Sequence, residues 1–180
     1  MVPAVTRAVG ARSRRPLTAA ALAFVATVFT VGGSALAGDD AAVAQLKAGD
    51  ALPSLALPDQ HGTRATVGAD TRLLLFSRDM DGGGFVKEAL AEGGKDKLDA
   101  AGAVYIADVS GMPGFVRSTF ALPSMRKRPY PILLDETGEH TRALPSQKGK
   151  ATVMRIEGGR IADVTYASST AEVIAALTAR

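Results

Sequence analysis

Asp79 and Asp81 stand two positions apart, between an apolar run at residues 73–76 and three consecutive glycines, Gly82, Gly83 and Gly84. Paired carboxylates can hold a divalent cation or pass a proton, and a glycine-rich turn between strand and helix can cradle a phosphate of a flavin or dinucleotide. Against a phosphate cradle, the G-x-G-x-x-G pattern is absent, and the two aspartates would repel a pyrophosphate from the same turn. The plain alternative is a solvated, flexible acidic loop. On that view, changing Asp79 or Asp81 to Ala should alter stability by about 0.5 kcal/mol at most. Ser110, Asp135 and Glu136 follow later apolar runs and are the hydroxyl and acids that could join such a site. His61 and His140 each lie in a turn without a second histidine at ligand spacing, so no metal is expected. Arg126-Lys127-Arg128, with Arg117 upstream, can bind an anion or an acidic partner, or complement a helix C-terminus.

The 180 residues include no cysteine, which excludes a catalytic thiol, a CxxC redox pair, thiolate-ligated zinc or iron–sulfur, and any disulfide. Neither a G-x-S-x-G elbow nor an H-E-x-x-H helix occurs. The formal net charge of +3 raises nucleic acid as a partner, but the excess is local. Residues 1–37 hold Arg7, Arg12, Arg14 and Arg15 and no acid; without these four, 17 of the 21 basic residues face 18 acidic ones, a net charge of −1. No nucleic-acid partner is expected.

The same segment reads as an export signal. Basic residues 12–15 precede an uncharged run over 16–37 ending in Ala35-Leu36-Ala37, which predicts cleavage after Ala37. The run is also long enough for a membrane anchor, yet Gly32, Gly33 and Ser34 and its Ala/Thr-rich centre favour removal. Ser13-Arg14-Arg15-Pro16-Leu17 is a partial match to a twin-arginine signal, the route of prefolded proteins. A periplasmic or secreted domain over 38–180 is expected, without a lasting membrane anchor.

The remaining elements must position these residues. Residues 39–47 read as a short helix or an arm, 52–57 as an extended segment, 59–62 as a turn and 64–67 as a returning strand. Residues 73–76 and 103–109 are buried strands, with helix over 85–90 and again over 95–101. A helix is expected over 115–125, a strand over 131–134, and a hairpin of 151–156 with 160–166 around Glu157-Gly158-Gly159. Ser169 or Thr170 caps a last helix with Val173, Ile174 and Leu177 as its apolar stripe. The class is α/β in three layers.

This order, with Gly49-Asp50-Ala51-Leu52-Pro53, the turn Asp59-Gln60-His61-Gly62 and Lys150-Ala151-Thr152-Val153-Met154, resembles the thioredoxin-like superfamily and within it the peroxiredoxins. The resemblance implies a thioredoxin-like fold with a central mixed sheet and a C-terminal hairpin and helix. It also implies a reactive cysteine just after the first core strand. Counted without gaps, Phe85 holds that place, and Lys150 stands where an arginine would hold the thiolate, so thiol chemistry is lost. Residues 75–82 also resemble the first motif of haloacid-dehalogenase-type phosphatases. That likeness implies Asp79 as nucleophile, Asp81 as acid/base and a bound Mg²⁺, although Gly83 replaces the expected threonine.

The resulting expectation is a non-redox binding or accessory domain for an unidentified small molecule or protein, with no cofactor. A flavin (FAD/FMN)-dependent oxidoreductase or a Mg-dependent phosphatase is the alternative. A ligand is expected at the C-terminal ends of the parallel strands, near Ser77, Arg78, Asp79, Asp81 and Ser110, with Tyr130, Pro131 and Lys150 as neighbours.

Overall fold

Alternating apolar residues along the central strands bury both faces of the sheet, and this dictates the layering. In the computed structural model, residues 43–68 and 70–179 are described; the export signal, its cleavage point and the twin-arginine motif lie outside them. Strands β1 (Leu55–Pro58) and β2 (Arg64–Val67) form an antiparallel hairpin. The main sheet contains β3 (Leu73–Ser77), β4 (Ala103–Asp108), β5 (Leu133–Asp135), β6 (Ala151–Glu157) and β7 (Arg160–Ala167) in the order β5-β4-β3-β6-β7. β3, β4 and β5 are parallel, while β6 runs antiparallel to both β3 and β7. This βαβ unit followed by an antiparallel hairpin and a final helix is the thioredoxin-like fold.

Leu73, Leu75, Tyr105, Ala107 and Val153 point to one face, where they meet Val86, Leu90 and Leu98 of α1 (Met80–Ala89) and α2 (Gly94–Ala101) with Val173 and Leu177 of α5 (Thr170–Thr178). Leu74, Phe76, Ile106, Met154 and Ile156 point to the other face, which Leu55, Leu57 and Val67 of the hairpin cover together with Leu144. The third layer is therefore a hairpin and loops. β3 to β4 to β5 step in one direction across the sheet, so right-handed crossovers place all their helices on the same face.

Residues 43–47 form no helix and run as an arm, pinned where Leu46 N donates to Ala143 O at 2.8 Å. Gly158 and Gly159, at φ 57° and 76°, make the tight β6–β7 turn in a conformation that side chains disfavour. Ser169 is the N-cap of α5, its hydroxyl accepting from Glu172 N. The expected stripe on α5 needs one correction: Val173 and Leu177 are buried, but Ile174 lies out at 39% exposure, and the half-buried Ala176 packs inward instead.

The helix expected over 115–125 is continuous but uneven. α3 (Gly114–Val116) passes through a π-helical turn, Arg117–Ala121, into α4 (Leu122–Arg126). Pro123 causes the widening: it has no N–H for the carbonyl four residues back, and its ring would strike that carbonyl in a regular helix. Leu122 N instead reaches five residues back to Arg117 O.

Candidate functional site

The acidic glycine stretch is not a loop. α1 begins at Met80, so Asp81, Gly82, Gly83 and Gly84 are helical, and Asp79 is the N-cap. Its Oδ1 accepts from Gly82 N at 2.8 Å, and its Oδ2 accepts from Gly149 N at 2.6 Å, tying the helix to the segment that enters β6. The glycines read as flexible because helical propensity disfavours them, yet packing requires at least one. Gly82 is buried against the backbone of Lys150 and Ala151, and a Cβ there would collide with the Lys150 carbonyl. The expectation that Asp79 is merely solvated is thus overturned, because its carboxylate joins two parts of the chain. Asp81, by contrast, is exposed.

These contacts bear directly on the enzymatic alternatives. Both oxygens of Asp79 serve backbone amides, which leaves a poor nucleophile and a poor Mg²⁺ ligand. The Gly82 amide is taken by the Asp79 carboxylate and the Gly83 amide by the Asp79 carbonyl, so the turn does not present a free cradle to a flavin phosphate. Among the described residues no three His, Asp or Glu side chains group as metal ligands.

Behind the helix start, Ser77 Oγ and Tyr105 Oη lie 2.9 Å apart in the core. A side chain at Gly83 would point toward this pair, 3.4 Å from Ser77 Oγ. Burial pushes the Tyr105 phenol up to about 12, and the Ser77 hydrogen bond offsets only part of that rise. Phe85, counted above onto the thiol's place, sits in the second turn and packs on the helix-side core. The first turn belongs to Met80 and the glycines.

The other polar cluster closes the ends of β3, β4 and β5. Arg78 Nε donates to Asp108 Oδ2 at 3.0 Å, its Nη1 to Ser146 Oγ at 3.1 Å and its Nη2 to Thr141 O at 2.6 Å. The guanidinium also lies over the Phe76 ring, 5.2 Å from its centroid. Asp108 Oδ1 takes both the amide and the hydroxyl of Ser110. Thr141 Oγ1 lies 3.1 Å from Asp108 Oδ2 and 3.0 Å from Asp135 Oδ2, and its single proton is shared between the two carboxylates. Burial alone would raise the Asp135 carboxyl, but hydrogen bonds from Thr141, Gly138 and Thr137 outweigh it and hold the pKa below the ordinary 3.8. Every buried side-chain N or O among the described residues has a partner.

Of the eight residues expected to gather, Ser77, Arg78, Asp79, Asp81 and Ser110 do follow or end parallel strands, and Lys150 lies against α1 through its backbone. Tyr130 and Pro131 do not join them. They precede β5 instead of closing it, and Tyr130 is buried against Gly94 and Leu90 in the helix-side core. Burial raises its phenol as well, against a lowering by Arg128. Its carbonyl accepts from Gln60 Nε2 at 2.8 Å while Gln60 Oε1 accepts from Ile132 N at 2.8 Å, so Gln60 clamps the chain on both sides of Pro131. Asp108, Thr141 and Ser146 were not singled out from the sequence. An Asp closing an apolar strand was the available signal for Asp108; nothing local marked the other two.

No protein-family model matches the chain, and no curated protein sequence matches it. Solved structures do. Peroxidoxin BcpB from Mycobacterium tuberculosis is 19% identical, with 74% of this chain and 97% of that chain covered at a TM-score of 0.49. The bacterioferritin comigratory protein of Xanthomonas campestris, a protein with alkyl peroxide reduction activity, is 18% identical over 71% of this chain and 97% of that one, at 0.47. StoA from Bacillus subtilis is 12% identical over 69% and 96%, at 0.46. These likenesses say nothing of chemistry, and the fold stands on the strand order and register described above.

Proposed function

We propose that this chain is an exported thioredoxin-like domain that binds a partner and carries out no thiol redox chemistry. The observation that carries the reading is the closed start of α1. At this helix start, which follows the first core strand, Asp79 is held by Gly82 N and Gly149 N, and Gly82 is packed on the Lys150 backbone. Methionine cannot replace a thiolate as nucleophile, and the chain has no cysteine. Export is supported by the basic start, the uncharged run over 16–37 and Ala35-Leu36-Ala37. Among the described residues no helix is long and apolar enough to cross a membrane.

The test is turnover of peroxide and of a model disulfide by metal-free, cofactor-free protein with a thiol reductant. No turnover is expected, and turnover would overturn the non-redox reading. A flavin absorbance band in protein purified from its native compartment would overturn it equally. Intact-mass measurement should find the protein starting at Gly38; retention of residues 1–37 on membrane-bound protein would refute the export signal.

A further inference from the structure

The least covered apolar side chains outside the closed site are on the 114–126 helical segment. Phe115 is 72% exposed, Phe120 61% and Val116 41%, and no residue of α3, the π-helical turn or α4 is buried. The segment is a ridge, with Leu122 and Met125 as its half-buried footing on the helix-side core. It ends in Arg126, Lys127 and Arg128, and no Asp or Glu occurs anywhere from residue 109 to 134. Two of these cations also hold the body of the domain: Arg117 pairs with Glu136 at 3.4 Å and reaches the Val109 and Glu136 carbonyls, and Arg126 Nε donates to Gln60 O at 3.1 Å while the residue as a whole remains exposed.

Charge narrows the occupant. A second copy would bring the same cations against these, and the chain's own residues 1–37 carry four arginines and no acid, so like charges oppose both. The partner is anionic and comes from outside the chain. Exposure narrows it further: a peptide is received by a groove, and phenylalanines exposed to 72% and 61% do not line one. The Phe115 and Phe120 rings meet edge to face, 6.1 Å apart at 83°, which gives no parallel platform on which bases would stack. Phenylalanines on a helix flanked by cations suit the boundary of a lipid bilayer, where rings enter the acyl edge and cations meet phosphates.

We infer that the 114–126 segment docks the domain on an anionic lipid surface. The inference deepens the binding function proposed above by naming the partner. Contact is reversible, because two rings and a basic cluster fall far short of a spanning helix.

The chain lacks cysteine, so one introduced thiol gives a site-specific probe. Full-length protein carrying Ser118→Cys on the ridge, or Ala162→Cys on β7 at the far edge of the sheet, is labelled with an environment-sensitive fluorophore and mixed with vesicles. Phosphatidylglycerol vesicles should shift the emission at position 118 to the blue and leave position 162 unchanged; phosphatidylcholine vesicles should shift neither. Phe115→Ser with Phe120→Ser should weaken the partitioning read at 118 by about tenfold or more. Arg126→Gln, Lys127→Gln and Arg128→Gln together should weaken it by roughly a hundredfold, and added salt should act in the same direction. Equal responses at 118 and 162, or none at 118, would overturn the inference. So would a soluble polyglutamate that produces the full shift, since that would assign the surface to an acidic protein. Peroxide turnover would sink the non-redox reading without touching the vesicle result, so the two can fail separately.

Discussion

Two neighbouring regions treat their side chains in opposite ways. At the ends of β3, β4 and β5, Arg78, Asp108, Asp135, Thr141 and Ser110 form a network with each buried polar atom partnered. A few residues further on, the 114–126 segment has no fully buried residue and turns two phenylalanines to solvent. The polar end of this sheet is locked, and the accessible side chains lie on a ridge beside it. Polar residues at strand ends here hold the structure, while apolar residues are the ones left open for contact.

Breaking the network should show the largest effect. Asp108→Ala removes the acceptor for Arg78, Ser110 and Thr141 and should cost about 3 kcal/mol in urea unfolding. A loss below about 1 kcal/mol would mean that the cluster is ornamental. Gly82→Ala drives a methyl group into the Lys150 carbonyl and should cost about 2 kcal/mol, whereas Gly84→Ala, with open space at its Cβ, should be neutral or slightly stabilising. Asp79→Ala deprives α1 of its cap and Gly149 N of its acceptor; about 1.5 kcal/mol is expected, measured the same way.

Acid sharpens the same contrast. Asp135 has a folded pKa below 3.8, so the unfolded chain binds its proton first as pH falls. Its stabilisation is complete above 3.8 and disappears as pH drops through the lowered folded value. Asp135→Asn should flatten the pH dependence of stability in that window, and an unchanged slope would remove Asp135 from the account. The smallest effect belongs to the ridge: Phe115→Ser and Phe120→Ser should each change stability by about 0.5 kcal/mol or less. A large destabilisation would show that the rings pack on something and do not stand free.

Much of the fold was legible because strong local rules carried it. The apolar run at 73–76, the Asp59–Gly62 turn and the double glycine at 158–159 each specify one backbone outcome, and β2 and the β6–β7 hairpin appear within a residue or so of expectation. The candidate site was less legible because its determinants are distant in sequence. Gly82 requires a glycine only because Lys150 arrives there, and Arg78 meets Thr141 from 63 positions away. Without those neighbours in view, Asp79 followed by Met-Asp-Gly-Gly-Gly reads as a flexible loop. Tyr130 and Pro131 were misplaced for a similar reason: a proline before a strand marks its entry, and the ligand end of a parallel strand is its exit.

The π-helical turn has an angular consequence. Successive residues of an α-helix advance by about 100°, so a turn that holds one extra residue resets the phase between the helix before it and the helix after it. Phe115 and Val116 on one side and Leu122 and Met125 on the other are thereby uncoupled: the first pair faces water while the second keeps its seat on the core. Deleting Ser118 or Thr119 would not simply shorten the segment. It would rotate its outer half like a key in a lock, carrying the aromatic rim away from the direction it now faces while leaving every side chain on it chemically intact.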